Sequence, residues 1–144
     1  MDYNCIFCSI ASKAAHAFIV FEDELSLAFL DIRPLFPGHL LLIPRQHIAN
    51  LYELPDEFTG KFFNTARLIA MAVETALEAQ GTFVAINNKV SQSISHLHVH
   101  IVPRDKKDGL RGFFWPRKKY ESVEQMEHYQ MKISKEVRSI CENL

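Results

Sequence analysis

Ser95 to Val102 reads SHLHVHIV, so that His96, His98 and His100 fall on alternate residues with Leu97 and Val99 between them. In an extended strand successive side chains point to opposite faces. That sends Leu97, Val99 and Ile101 toward a core and gathers the three imidazoles on the other face, roughly 6.5 to 7 Å apart. One histidine on a strand is ordinarily a polar surface residue, but three in register fit that reading poorly. A metal is a second candidate, since imidazole is a common zinc ligand, yet three ligands on one straight strand converge badly on a tetrahedral ion. The third candidate fits best: the middle imidazole is a nucleophile, and its neighbours orient it and stabilise the charge on the group it attacks. Phosphorus suits that chemistry. A neutral imidazole is nucleophilic near pH 7, and its phosphoramidate adduct can be hydrolysed, which divides one hard displacement into two easier ones.

A second chemical spacing stands near the beginning of the sequence. Cys5 and Cys8 form the pair CIFC, half of a zinc knuckle that needs two further N or S ligands. A redox pair would sit between a strand and a long helix in a βαβ setting, which the neighbouring sequence does not supply. Two free thiols in the core, packed as small hydrophobes, are the other reading.

These residues need elements to hold them. After a short N-terminal turn, FIVF (Phe18 to Phe21) and SLAFL (Ser26 to Leu30) flank the acidic turn Glu22-Asp23-Glu24 and predict a hairpin. GHLLLIP follows as a strand ended by Pro44. A helix opens at Pro55-Asp56-Glu57, runs through Phe58, Phe62, Ile69, Val73 and Leu77 at three- and four-residue spacing, and stops at Gly81. TFVAI and HLHVHIV predict two more strands. From Ser122 to about residue 142, a Ser-x-x-Gln start followed by Met126, Tyr129, Ile133, Val137 and Ile140 predicts a second main helix. Five strands joined mainly by short turns, with two helices placed separately, make an α+β fold on an antiparallel five-stranded sheet. Repeats, low-complexity tracts and linkers are lacking, so residues 1–144 read as a single domain.

Composition narrows the partners. Sixteen basic residues against seventeen acidic ones leave the chain close to neutral, which argues against nucleic acid or an anionic membrane as a general partner. A secretory leader and a membrane-length apolar run are both missing from the sequence, and the expectation is a cytoplasmic protein with reduced thiols. One local exception is the arm from Arg104 to Tyr120. Between Arg104 and Lys119 it carries seven basic residues and two acidic ones, interleaved with Phe113, Phe114 and Trp115. It reads either as a solvated loop or as a holder of distal phosphates with rings near a base.

The segments FLDIRPLFPGHLLLIPRQH and SQSISHLHVHIVPR, the latter containing the spaced triplet, carry a wider likeness. Through them the sequence resembles the histidine triad family of nucleotide hydrolases and transferases, in its bacterial form with an N-terminal Cys-x-x-Cys zinc site. The resemblance implies the histidine triad fold and hydrolysis at the α-phosphate of dinucleoside polyphosphates or nucleoside phosphoramidates. In it His98 carries a nucleotidyl intermediate, and His100 and His39 line the same phosphate pocket. It implies that Asp31 binds the ribose hydroxyls and that Asn87, Gln92 and Ser93 contact phosphate and leaving group. It also implies a structural zinc on Cys5, Cys8, His47 and His96, and a homodimer. The alternative from another class is a non-catalytic nucleotide-binding or scaffold protein of the same fold. The sequence departs from the family at one point: the loop NKVSQ is short, and Ser91 stands where Gly is common.

Overall fold

The computed structural model describes residues 4–110 and 118–144. Residues are placed in two compact units, the larger ending at Asp108 and the smaller beginning at Gly109. The larger contains β1 (Ile19–Glu22), β2 (Ser26–Leu30), β3 (Leu40–Pro44), β4 (Gly81–Ala85) and β5 (Val99–Arg104), with α1 (Ile6–Ala11) before the sheet and α2 (Asp56–Leu77) between β3 and β4. All neighbours in the sheet are antiparallel, in the order β1-β2-β3-β5-β4. The expected five-stranded antiparallel α+β architecture is what the chain adopts.

β2 and β3 are apolar at nearly every position, and all of β3 is buried. A strand of that composition requires cover on both faces. On one face Ala28, Leu40, Leu42, Val99 and Ile101 pack against Phe62, Ala66, Ile69 and Val73, the apolar stripe of α2. On the other, Leu27, Phe29, Leu41 and Ile43 pack against Phe7, Ile10 and Ala11 of α1 and its flanking residues. The N-terminal segment, expected as a turn, is therefore a helix that closes the second face. Arg45 fixes it further, its guanidinium donating to the Ala11 carbonyl at 3.1 Å and pairing with Glu22 at 3.3 Å.

Two boundaries differ from expectation. α2 ends at Leu77 rather than at Gly81: Glu78 takes the left-handed turn, with φ 53°, and its N–H bonds back to the Glu74 carbonyl. Gly81 instead opens β4, where it pairs with Arg104. The strand expected from His96 begins only at Val99, so His96, Leu97 and His98 form a lead-in that lies outside the ladder, with the His96 N–H donating to the Ile94 carbonyl at 2.8 Å. At Gly38 the backbone has φ +94°, a conformation that suits glycine and turns the chain sharply into His39 and β3.

The smaller unit contains α3 (Val123–Glu142), whose N-terminus is capped by the Ser122 hydroxyl accepting from the Gln125 N–H at 3.1 Å. That cap and helix match the expected second main helix. Of the basic arm, residues 111–117 lie outside the described residues, including Phe113, Phe114 and Trp115. Among the described residues, no helix is long and apolar enough to cross a membrane.

Candidate functional site

The three histidines of the triplet occupy three different surroundings. His96 and His98 are buried, 0% and 4% exposed, so the face opposite Leu97 and Val99 is not a solvent face. Phe7 of α1 covers it, its ring lying edge-on to His96 at 5.8 Å and to His98 at 5.3 Å. Sequence periodicity placed the three imidazoles together correctly but left out their cover. The unbroken apolar run of β3 was the signal for it.

His96 belongs to a cluster with the cysteines. Cys5 and Cys8 lie three residues apart at the start of α1, on one side of its first turn. His47 follows β3, and the donor atoms of Cys5, Cys8, His47 and His96 lie within 4.8 Å of one another. Cys5 Sγ is 3.4 Å from His96 Nδ1, and Cys8 Sγ is 3.2 Å from His47 Nδ1 and 3.6 Å from His96 Nδ1. The sulfur–nitrogen edge of a tetrahedral zinc site, built from the usual Zn–S and Zn–N bond lengths, is about 3.6 Å. The donor set and its spacing therefore fit zinc. His96 is also prepared for ligation through Nδ1, because its Nε2–H donates to the Pro44 carbonyl at 2.8 Å. Burial pushes its pKa down to about 4, so the ring is neutral at ordinary pH.

His98 is oriented by its own backbone neighbour. Its Nδ1–H donates to the His96 carbonyl at 2.7 Å, which leaves the lone pair on Nε2. The ring borders a cleft of about 470 Å³ whose walls include His100, Asp31, Ser93, Phe29 and Ile32.

A second hydrogen-bond chain sets the tautomer of His100. The Leu35 N–H donates to His39 Nδ1 at 3.1 Å, so the His39 proton is on Nε2. That nitrogen lies 3.0 Å from His100 Nδ1, which must accept. His100 therefore carries its proton on Nε2, as a neutral hydrogen-bond donor. Burial, aided by the neighbouring His98 and His39, pushes its pKa down to about 4, and Asp31 opposes the shift only in part. Burial likewise lowers His39. Asp31 holds the edge of the cleft, its Oδ1 accepting the Arg33 N–H at 2.8 Å and its Oδ2 lying 3.8 Å from His39 Nε2.

The loop between β4 and β5 places its candidates unevenly. Ser93 is exposed and borders the cleft. Both ends of the Gln92 amide are occupied: Nε2 donates to the Ala49 carbonyl at 2.6 Å, and Oε1 accepts the Lys89 N–H at 2.8 Å. Asn87 is exposed just beyond β4, whereas Asn88, not singled out in the sequence, accepts the Leu51 N–H at 2.9 Å and pins the loop. Ser91 has φ 58° and Lys89 φ 68°, so non-glycine residues occupy left-handed positions where the sequence departs from the family pattern.

The comparisons with known proteins agree with this arrangement. The HIT domain model matches residues 12–107. Protein hit of Bacillus subtilis is 42% identical over 114 residues, covering 78% of this chain and 79% of that protein. The adenosine 5'-monophosphoramidase HNT1 of Saccharomyces cerevisiae is 37% identical over 111 residues, covering 76% of this chain and 69% of the relative. A crystal structure of a HIT family member from Bacillus subtilis superposes with a TM-score of 0.83 at 38% identity, covering 92% of this chain and 96% of that one. A zinc-bound histidine triad protein from Mycobacterium smegmatis does so with a TM-score of 0.71 at 37% identity, covering 85% and 87% of the two chains. With His96 and His98 buried beneath Phe7 of α1 and the sheet order and cleft in place, the chain belongs to the HIT domain family.

Proposed function

We propose that the protein hydrolyses nucleoside 5'-phosphoryl compounds, either dinucleoside polyphosphates or nucleoside phosphoramidates, through a nucleotidyl intermediate on His98. The observation that carries this reading is the His98 Nδ1–H bond to the His96 carbonyl, which leaves the Nε2 lone pair for attack beside the cleft. In the first step Nε2 forms a bond to the α-phosphorus as the bond from phosphorus to the leaving oxygen or nitrogen breaks. The leaving group takes a proton from the Ser93 hydroxyl, which recovers one from solvent. Water then attacks the same phosphorus and loses a proton to solvent, the N–P bond breaks with its electron pair returning to Nε2, and the nucleoside monophosphate departs. The neutral His100 donor stabilises negative charge on the phosphoryl oxygens in both steps. Asp31, a carboxylate at the cleft edge, accepts from ribose hydroxyls. Gln92 keeps Ser93 in place through the two bonds its amide makes to Ala49 and Lys89. Asn87, exposed just beyond β4, contacts the phosphate or leaving group.

Zinc on Cys5, Cys8, His47 and His96 would supply structural cross-linking and no chemistry. The named phosphoramidase among the relatives supports a P–N substrate over a purely binding role. The test is mutation of His98 with an acid-quench readout. His98→Ala should lower turnover by at least a thousandfold while nucleotide binding persists, and wild-type protein quenched during turnover should carry an acid-labile nucleotide on His98. Wild-type rates in His98→Ala would place the nucleophile elsewhere. Nucleotide binding without turnover or adduct across adenosine polyphosphates and phosphoramidates would favour the scaffold reading.

A further inference from the structure

We propose that His16, to which the family resemblance assigns no role, reads the base of the bound nucleotide through a hydrogen bond to the polar group at purine position 6. His16 has this role only if the cleft binds a nucleotide, as proposed above.

The cleft crosses the sheet. Its walls run from His98 and His100, the latter on β5, past Asp31 beyond the end of β2 to His16 ahead of β1. The strands follow the order β1-β2-β3-β5, and neighbours lie about 4.8 Å apart, so β1 runs roughly 14 Å from β5. The Leu30 N–H, one residue ahead of Asp31, donates to the Phe18 carbonyl at 3.0 Å. That bond ties the segment carrying His16 beside Asp31, on the edge of the sheet farther from His98. The three positions therefore follow the order of a nucleotide's parts. With the α-phosphorus at His98 and the ribose hydroxyls at Asp31, the base extends toward His16.

Most of what lines the cleft there cannot read a base edge. Ile6 and Ile10 of α1, Ala17 beside His16 and Ile32 beside Asp31 are hydrocarbon, and they hold a flat ring by contact alone. Apart from Asp31 and the groups at the phosphate end, the hydrogen-bonding side chains on the cleft are His16 and Arg33. Arg33 offers donors only, whereas a neutral imidazole carries a lone pair on one ring nitrogen and an N–H on the other. By exchanging tautomers His16 accepts from the 6-amino group of adenine or donates to the 6-oxo group of hypoxanthine or guanine. A purine with hydrogen at that position forms neither bond. The His16 ring lies edge-on to Phe18, the centroids 5.0 Å apart, which positions it without engaging its nitrogens. Among the described residues those nitrogens have no hydrogen-bond partner.

The test is isothermal titration calorimetry of the full chain with three 5'-monophosphates: AMP, IMP and purine riboside monophosphate, which lacks the 6-substituent. One neutral hydrogen bond is worth roughly 2- to 10-fold in affinity. His16→Phe keeps an aromatic ring against Phe18 and removes the donor and acceptor. It should weaken AMP and IMP by that factor and leave purine riboside monophosphate within about twofold. His16→Gln, whose amide also accepts and donates, should restore most of the loss. Equal effects on all three nucleotides, or no effect on any, would overturn the proposal, as would a selective loss that follows Arg33→Met instead of His16→Phe. Wild-type protein that binds none of the three would overturn the nucleotide reading itself, so the two failures are distinct.

Discussion

Phe7 touches both halves of the site, and removing it tests whether α1 positions the nucleophile or only covers the sheet. Its ring is 4% exposed and lies edge-on to Phe29, His96 and His98 at centroid distances of 5.5, 5.8 and 5.3 Å. Phe7→Ala forfeits the transfer free energy of the ring and leaves a cavity, a combined cost of about 3 to 5 kcal/mol for a buried phenylalanine. α1 is held from two sides, by the Arg45 bond to Ala11 and by the cysteine cluster, so the cavity collapses little and the upper half of that range is expected. For a chain of 144 residues this corresponds to a fall in Tm of roughly 13 to 17 °C.

The same cavity frees the His98 ring on one side, although its Nδ1–H bond survives. Loss of one wall of a pre-oriented nucleophile should cost about 1 to 2 kcal/mol in the chemical step, a drop in kcat of roughly 5- to 30-fold below the melting range. Phe7→Leu, which refills most of the volume, should recover more than half of both losses. Urea unfolding monitored by circular dichroism gives the stability, and turnover of an adenosine phosphoramidate gives kcat. A stability loss under 1 kcal/mol would refute the burial argument. Full stability loss with unchanged kcat would leave Phe7 as packing alone and refute its role in holding His98.

Other perturbations separate the remaining parts of the site. A strong chelator should remove one zinc per chain and lower Tm, while turnover of the fraction still folded continues; immediate loss of activity at constant circular dichroism would contradict a structural metal. His100 is held neutral in the folded chain with a pKa of about 4, against about 6.5 when unfolded, so the unfolded state binds the extra proton between those values. Its contribution is present above pH 6.5 and lost as pH falls toward 4, up to about 3 kcal/mol. The urea midpoint should fall over that window with a shallower slope in His100→Gln, and equal slopes would contradict the assignment. Ser91→Gly relieves a φ of 58° and should raise stability by up to about 1 kcal/mol, read as a higher urea midpoint; a lower midpoint would show that the hydroxyl or side chain holds the loop.

Much of this architecture was legible from periodicity. The hairpin, the apolar stripe of α2 and the alternation of Leu97, Val99 and Ile101 are local patterns, and local patterns survive into the fold. The role of the N-terminal segment was not legible. Ile6–Ala11 is six residues long, too short for a helical period to emerge, and it folds because Phe7 and Ile10 have a sheet face to cover. Nor could spacing distinguish Asn87 from Asn88, or assign Gln92 to the Ala49 carbonyl, because the partners lie 37 and 43 residues away from Asn88 and Gln92. Glu78 ends α2 ahead of Gly81 because the turn into β4 demands a left-handed residue where the sequence supplies a glutamate.

The late start of β5 explains how three adjacent histidines come to do different work. Had the ladder begun at His96, that residue's carbonyl would have been directed toward a neighbouring strand. β3 pairs with β5 only from Leu42 and Val99 onward, and the lead-in is secured otherwise, by Leu97 N–H donating to the Ile48 carbonyl at 2.6 Å. The His96 carbonyl is thereby available to His98 Nδ1, while the His96 side chain turns to Cys5 and Cys8. One residue thus holds the cysteine cluster with its ring and the candidate nucleophile with its backbone. His100, inside the ladder opposite Leu41, is oriented instead through His39, whose own ring is fixed by the Leu35 N–H. Alternation puts the three rings on one face, and the ladder boundary between His98 and Val99 gives each a different anchor.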